Sequence, residues 1–153
     1  MDKADFAARV YDCERKLYRV ARTILRSDAD CEDAVQEAIL RAWEHRYSLR
    51  EACYFDTWLI RILINECRAL LRRQMRSGGE IPESLAAPER SAGLEELMQL
   101  PEKYRVPIEL HYIEGYALRE IAGMMRLPEG TVKWRLSKGR KLLEGLLNEE
   151  ESV

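Results

Sequence analysis

Residues 117–143 read ALREIAGMMRLPEGTVKWRLSKGRKLL. Two amphipathic helices joined by a tight turn at Arg126-Leu127-Pro128, with the small Ala122 where they must approach, form a helix-turn-helix pattern. Ile121, Met125, Leu127, Val132 and Leu136 are its expected core. At 100° per residue, Val132, Leu136, Gly139 and Leu143 fall within about 60° of one another and face inward. The opposite side shows Gly130, Trp134, Ser137 and Lys141, flanked by Thr131, Lys133 and Lys138. A helix with a basic, polar outer face and one exposed aromatic fits the major groove of DNA. An ordinary solvated Lys/Arg face would show the same charges. The turn, the Ala122 spacing and the neighbouring amphipathic helix favour the groove reading.

Just upstream, Leu94–Leu100 is expected to form a short helix ended by Pro101, which suits the first turn of a helix over 101–114. Pro107 should remove one backbone bond from that helix and bend it, and Gly115 should close it. The last helix is expected over 129–147, with 148–153 (NEEESV) a frayed tail. Further back, SGGEIPESLAAPERSAG (77–93) has three Gly, two Pro, three Ser and no aromatic, and reads as a linker. It separates a front domain, 1–76, from a back domain, 94–147. Each is near the lower size limit for a single core.

The front domain reads as helices throughout. Phe6, Val10, Cys13, Leu17, Val20 or Ala21, and Ile24 form one apolar stripe. Ser27-Asp28 and Asp30 begin a second helix as N-cap types, with acids crowding the first turn, where the helix dipole favours them. Val35, Ala38, Ile39, Ala42 and Trp43 share one face of that helix. Asp33, Gln36, Glu37, Leu40, Arg41 and Glu44 occupy the other. Residues 46–56 read as a loop or broken helix. A third helix is expected from about Thr57, capped by Asp56, to Met75. Its start, WLIRILI, is apolar nearly all round, and its continuation, NECRALLRRQM, has strong helix formers and no turn signal. The fold class is therefore all-α: two small helical domains joined by a flexible linker.

At 153 residues, 46% hydrophobic and 34% charged, the chain has a globular composition. No apolar run approaches the roughly 18 residues of a bilayer-spanning helix, and the start, MDKADFAARV, lacks the apolar block of a signal peptide. A cytoplasmic location is expected. Cys13, Cys31, Cys53 and Cys67 are spaced by 18, 22 and 14 residues, which matches neither a zinc site nor a redox motif. They read as small, reduced core residues.

The net charge of −2 conceals segregation. Residues 28–37 hold five acids and no base. Residues 61–76 carry five arginines against Glu66, a local +4, and residues 126–141 carry six cations against Glu129, a local +5. Alternating basic and acidic stretches suit several partners of different sign. In 54–76, Tyr54, Phe55 and Trp58 precede a helix whose polar side presents Arg61, Asn65, Arg68, Arg72 and Arg73. Rings beside a basic track are what single-stranded nucleic acid requires, because bases stack while phosphates need cations. Core packing of Phe55 and Trp58 is the competing reading. Asn65 follows Ile62-Leu63-Ile64 and needs a partner for its amide, either a neighbouring helix or a base edge. Capping and a protein-binding face explain the acids at 28–33 better than a metal site does. His45 and His111 are isolated. Neither metal nor other cofactor is expected, nor a small-molecule substrate or an enzymatic site.

Three of these stretches together resemble the extracytoplasmic-function (ECF) class of bacterial sigma factors. SDADCEDAVQEAILRAW is similar to that family's region 2.2, FDTWLIRILINECRALLRR to regions 2.3 and 2.4, and LPEKYRVPIELHYIEGYALREIAGMMRLPEGTVKWRLSKGRKLL to region 4. The resemblance implies that region 2 binds the clamp helices of the polymerase β′ subunit and opens the −10 element, while region 4 reads the −35 element and touches the β flap. By motif position, Asp33, Gln36, Glu37, Leu40 and Arg41 would face the clamp. Tyr54, Arg61, Asn65, Arg68, Arg72 and Arg73 would lie along the melted strand. Arg119, Thr131, Lys133, Trp134, Ser137, Lys138 and Lys141 would meet the −35 duplex. The resemblance also implies an anti-sigma partner, commonly membrane-linked. Trp134 departs from the family, which commonly has a small polar residue there. Ala117 stands where a capping Ser or Thr is usual, and Gly123 and Gly139 each weaken their helices by roughly 1 kcal/mol relative to Ala. A free-standing helix-turn-helix regulator, usually a dimer on a two-fold symmetric site, is the alternative function.

Overall fold

The structure, a computed structural model, describes residues 1–78 and 94–151, and every regular element among them is helical. The expected linker lies outside the described residues apart from Ser77 and Gly78. The chain forms two compact units, Met1–Ser84 and Leu85–Val153.

Unit 1 is a three-helix bundle of α1 (Lys3–Ile24), α2 (Asp28–Glu44) and α3 (Phe55–Arg76). Asp2 accepts the Asp5 N–H at 2.8 Å to start α1, and Ser27 accepts the Asp30 N–H at 3.3 Å to start α2. The apolar stripe of α1 is buried as Phe6, Cys13, Leu17, Val20, Ala21 and Ile24. The inner face of α2 is mostly small (Cys31, Ala34, Val35, Ala38, Ala42), and α3 supplies the bulk with Phe55, Leu59, Ile60, Leu63, Ile64 and Cys67. Small residues on one helix admit large ones from its neighbour, which is how a short bundle reaches interior packing density. Val10, Ile39 and Trp43, assigned above to inward faces, are only half-buried.

Residues 46–56 are more ordered than a loop. Arg46–Ser48 and Ala52–Tyr54 are 3₁₀ turns, and Arg9 of α1 donates to the Ala52 carbonyl at 3.2 Å. α3 starts at Phe55, two residues earlier than expected. Asp56 therefore sits in its first turn instead of capping it, and pairs with Lys16 of α1 at 3.2 Å. Phe55 is drawn into the helix because its ring is buried, edge-on to Phe6 at 5.7 Å.

Unit 2 comprises α4 (Leu94–Gln99), α5 (Glu102–Ile108), a π-helical turn (Glu109–Ile113), α6 (Leu118–Met125) and α7 (Glu129–Glu151). The single helix expected over 101–114 is thus divided. Pro107 has no N–H to give the preceding turn, and immediately beyond it the helix widens, with the Glu114 N–H bonding the Glu109 carbonyl at 3.0 Å. Gly115, at φ +82°, then turns the chain, and the Tyr116 N–H reaches back to the Leu110 carbonyl. Buried Arg105 donates to the carbonyls of Met98 and Leu100 at 3.2 and 2.9 Å, which fixes the C-terminal end of α4 to α5.

Ala117 has no side-chain acceptor, but the Glu120 carboxylate accepts its N–H at 3.1 Å, so half a capping box survives. Arg126 closes α6 in the left-handed region at φ +55°. The core of the helix-turn-helix is Ile121, Met124, Met125, Val132 and Leu136; Leu127 is only half-buried and Met124 takes its place. α7 runs on to Glu151, so the tail expected to fray from 148 is helical through that residue. Asn148, Glu149, Glu150 and Glu151 contain no breaker, and glutamate is a good helix former.

Gly139 is buried, and a β-carbon there would lie 2.9 Å from Ile108 Cδ1 and 3.0 Å from Tyr104 Cβ. Its cost in helix propensity is offset by close packing of α7 on α5. Gly123 has open space where its β-carbon would be. Gly123→Ala should raise the unfolding free energy of unit 2 by about 0.5–1 kcal/mol. Gly139→Ala should lower it by about 1–3 kcal/mol, since Tyr104 Cβ is fixed to its backbone and cannot rotate away. Thermal unfolding of the two variants checks the opposite signs.

Three of the four thiols are buried as expected, but Cys53 is exposed on the second 3₁₀ turn. Burial pushes the Cys13 thiol up to about 11, with the nearby Asp56 charge adding and Lys16 opposing. Burial likewise pushes Cys31 up to about 11, against a lowering by Arg22. Only Cys53 should react with a thiol-disulfide reagent at neutral pH in the native protein, and all four after denaturation. Thiol titration with mass mapping checks it.

Candidate nucleic-acid and protein interfaces

On α3, the burial of Leu59, Ile60, Leu63, Ile64 and Cys67 leaves one polar stripe. Arg61, Asn65, Arg68 and Arg72 lie along it within about 60° of arc, with Arg73 to one side. Arg61, Arg72 and Arg73 are exposed and form no ion pair with any described residue. Arg68 is half-buried, as is Asn65, whose amide makes no hydrogen bond to a described side chain or carbonyl. Of the three aromatics ahead of this stripe, Tyr54 is exposed, Phe55 is core, and Trp58 is half-buried with its ring 5.9 Å from Phe55. The rings thus divide between core and surface.

Sequence reasoning passed over Arg46. Its guanidinium lies 3.7 Å from the Trp43 ring centre and 4.4 Å from that of Tyr47, and donates to the Trp43 carbonyl and the Tyr47 hydroxyl at 2.8 Å each. This clamp holds the exposed Tyr47 where α2 ends. The signal was an Arg between two aromatics at i−3 and i+1.

The outer face of α2 presents Asp33, Gln36, Glu37, Leu40 and Arg41, all exposed. Leu40 is a large apolar side chain left 57% exposed, and it borders an open apolar groove of about 430 Å³ shared by α1 and α2. Phe6, Val10, Tyr11, Ile39 and Trp43 line it, with Lys3 and Glu14 at its edge. The half-burial of Val10, Ile39 and Trp43 belongs to this groove. Arg41 is bound within the unit: its guanidinium meets Glu66 of α3 at 2.6 Å and Glu37 at 3.3 Å. The Glu66 side chain is only 11% exposed, so Arg41 compensates a carboxylate largely removed from water.

In unit 2, Lys133, Trp134, Ser137, Lys138 and Lys141 are exposed on α7, Thr131 is half-buried beside them, and Arg119 is exposed on α6. Trp134 is 55% exposed, with its ring 6.2 Å from that of Tyr104 and the Lys138 ammonium 5.9 Å from its centre. The helix thus carries cations around an aromatic that the core does not absorb. No group of three or more potential metal ligands occurs among the described residues, and no described helix is long and apolar enough to cross a membrane.

An all-helical factor in two units, the second built on a helix-turn-helix, is a transcription-factor architecture. The family model for Sigma-70 region 2 matches residues 10–77, and that for Sigma-70, region 4 matches residues 94–143. The ECF RNA polymerase sigma factor SigM of Mycobacterium tuberculosis is 33% identical over 141 residues, covering 87% of this chain and 72% of the relative. The ECF RNA polymerase sigma factor SigW of Bacillus subtilis is 30% identical over 171 residues, covering 97% and 91%. Among solved structures, the sigma factor RpoE in complex with the anti-sigma factor NepR from Bartonella quintana superposes with a TM-score of 0.84 at 26% identity, covering 94% of this chain and 97% of that one. CnrH in complex with the cytosolic domain of CnrY gives a TM-score of 0.72 at 26% identity, covering 97% and 90%. The chain belongs to the ECF sigma factors and is an RNA polymerase sigma factor.

The Arg41–Glu66 pair yields a prediction. Arg41→Ala should destabilise unit 1 by about 1–3 kcal/mol, because Glu66 then loses its cation. Gln36→Ala, on the same face and without such a role, should stay within about 0.5 kcal/mol. Urea unfolding of the two variants separates the scaffold part of this face from the part left for a partner.

Proposed function

We propose that the two units divide promoter recognition. Region 2, residues 1–76, docks on the β′ clamp helices of core polymerase through Asp33, Gln36, Glu37, Leu40 and Arg41. It follows the melted −10 strand along Tyr54, Arg61, Asn65, Arg68, Arg72 and Arg73. Region 4, residues 94–147, reads the −35 duplex with Arg119, Thr131, Lys133, Trp134, Ser137, Lys138 and Lys141, and touches the β flap. The linker 77–93 tethers the two, so that binding of one unit raises the effective concentration of the other at its site. The factor acts in the cytoplasm by binding alone, and core polymerase performs the catalysis.

The observation that carries this reading is the stripe on α3. Arg61, Arg72 and Arg73, left without an ion pair by the described residues, beside an amide without a partner and an exposed tyrosine, suit a single strand whose phosphates need charge and whose bases need hydrogen bonds and rings. The open groove of α1 and α2, with Leu40 at its rim, supports a protein partner for the other side of the unit. Two structural neighbours are complexes with NepR, an anti-sigma factor, and with the cytosolic domain of CnrY. These support an anti-sigma factor as a further partner of this chain, with a membrane anchor as the expected form.

Transcription from fragmented genomic DNA of the source organism, using core polymerase and the purified chain, tests the whole reading. The expected transcripts start downstream of one shared pair of elements. Stable core binding without any transcript would sink it. On the promoter so found, Lys133→Ala and Ser137→Ala should narrow the gap between matched and mismatched −35 sequences by about 1–3 kcal/mol. Lys138→Ala should instead weaken all sequences alike and lower the salt slope by about 1. Binding titrations at several salt concentrations check both.

A further inference from the structure

We infer that Trp134 reads the 5-methyl group of a thymine in the −35 duplex, with Tyr104 as its positioning residue. The inference rests on the assignment of region 4 to that duplex and adds which chemical feature is recognised.

Trp134 lies on the outward face of α7, more than half exposed, in a unit whose own core is closed by Ile121, Met124, Met125, Val132 and Leu136. Nothing in the packing of unit 2 requires an indole there. Its neighbours Lys133 and Lys138 are exposed cations, the first assigned above to a base edge and the second to a phosphate. With Lys138 on the backbone and Lys133 and Ser137 turned to base edges, the ring between them faces base edges as well. The only apolar feature that unmodified base pairs present in the major groove is the thymine methyl.

The ring is also held. Gly139 has no β-carbon, so Tyr104 on α5 packs closely against α7 and is itself buried. From that seat it lies 6.2 Å from the Trp134 ring at 51°. The Lys138 ammonium is 5.9 Å from the indole centre. An exposed tryptophan restrained from two sides loses less freedom on binding than a free one, and its position in the groove is better defined. A side chain that merely covered surface would not need a buried tyrosine beneath it.

The test uses the full chain with core polymerase and a promoter library randomised across the −35 element. The native protein should enrich thymine at one position. Replacing that thymine by deoxyuridine, which removes only the methyl, should weaken binding about fourfold, the worth of roughly one buried methyl. Trp134→Ser, at an exposed position, should abolish both the enrichment and the uracil effect while leaving the −10 preference unchanged. Tyr104→Phe should keep the thymine-to-uracil ratio and Tyr104→Leu should reduce it, a difference that loss of folding alone would not produce.

Equal binding of thymine and uracil, or the same thymine preference in Trp134→Ser, overturns the inference. So does enrichment of guanine that disappears with 7-deazaguanine, which would make the indole a hydrogen-bond donor instead. If no −35 sequence is enriched by any of the proteins, the duplex-reading role of region 4 falls, and this inference with it.

Discussion

The burial of α3 against both α1 and α2 is the constraint from which the rest of unit 1 follows. Leu59, Ile60, Leu63, Ile64 and Cys67 are removed from water together, which leaves a narrow solvent-facing arc on a 22-residue helix. Every arginine of that helix must lie in or beside this arc, because an unpaired guanidinium cannot be buried at tolerable cost. A continuous cationic track is thus a by-product of a well-packed core. The same burial draws Phe55 inward and begins the helix early, which leaves Tyr54 exposed at the head of the track.

The surfaces of unit 1 are not independent of its interior. Arg41 stands on the face proposed for polymerase, yet its guanidinium is held by Glu66 of the helix that bears the arginine track. The pair fixes the azimuth of α2 against α3. It also makes one residue answerable both to the fold and to a partner. The Arg46 clamp does similar work at the end of α2, where two aromatic rings and a carbonyl hold one guanidinium.

Unit 2 depends on the close approach of α7 to α5. A missing β-carbon at residue 139 admits Tyr104 and Ile108, and the tyrosine in turn supports the exposed indole of Trp134. Pro107 and the π turn after it direct the chain away from α5, so that Gly115 can reverse it into the helix-turn-helix. A glycine that lowers helix propensity and a proline that interrupts a helix both prove to be packing devices.

The sequence alone determined the helical class, the chain positions of α1, α2, α6 and the start of α7, and the helix faces that carry charge. These are encoded locally, in apolar spacing at the 3.6-residue period and in caps such as Ser27. Only the tertiary structure decided which side chains remain free for a partner. Arg41 and Arg72 look equivalent in the sequence, yet one is paired to a nearly buried carboxylate and the other is open to solvent. The start of α3 at Phe55, the π turn after Pro107 and the exposure of Cys53 were likewise decided by contacts with helices distant in the chain. The physical reason is that periodicity reports which way a residue points on its own helix, whereas pairing and burial depend on what another helix brings to meet it.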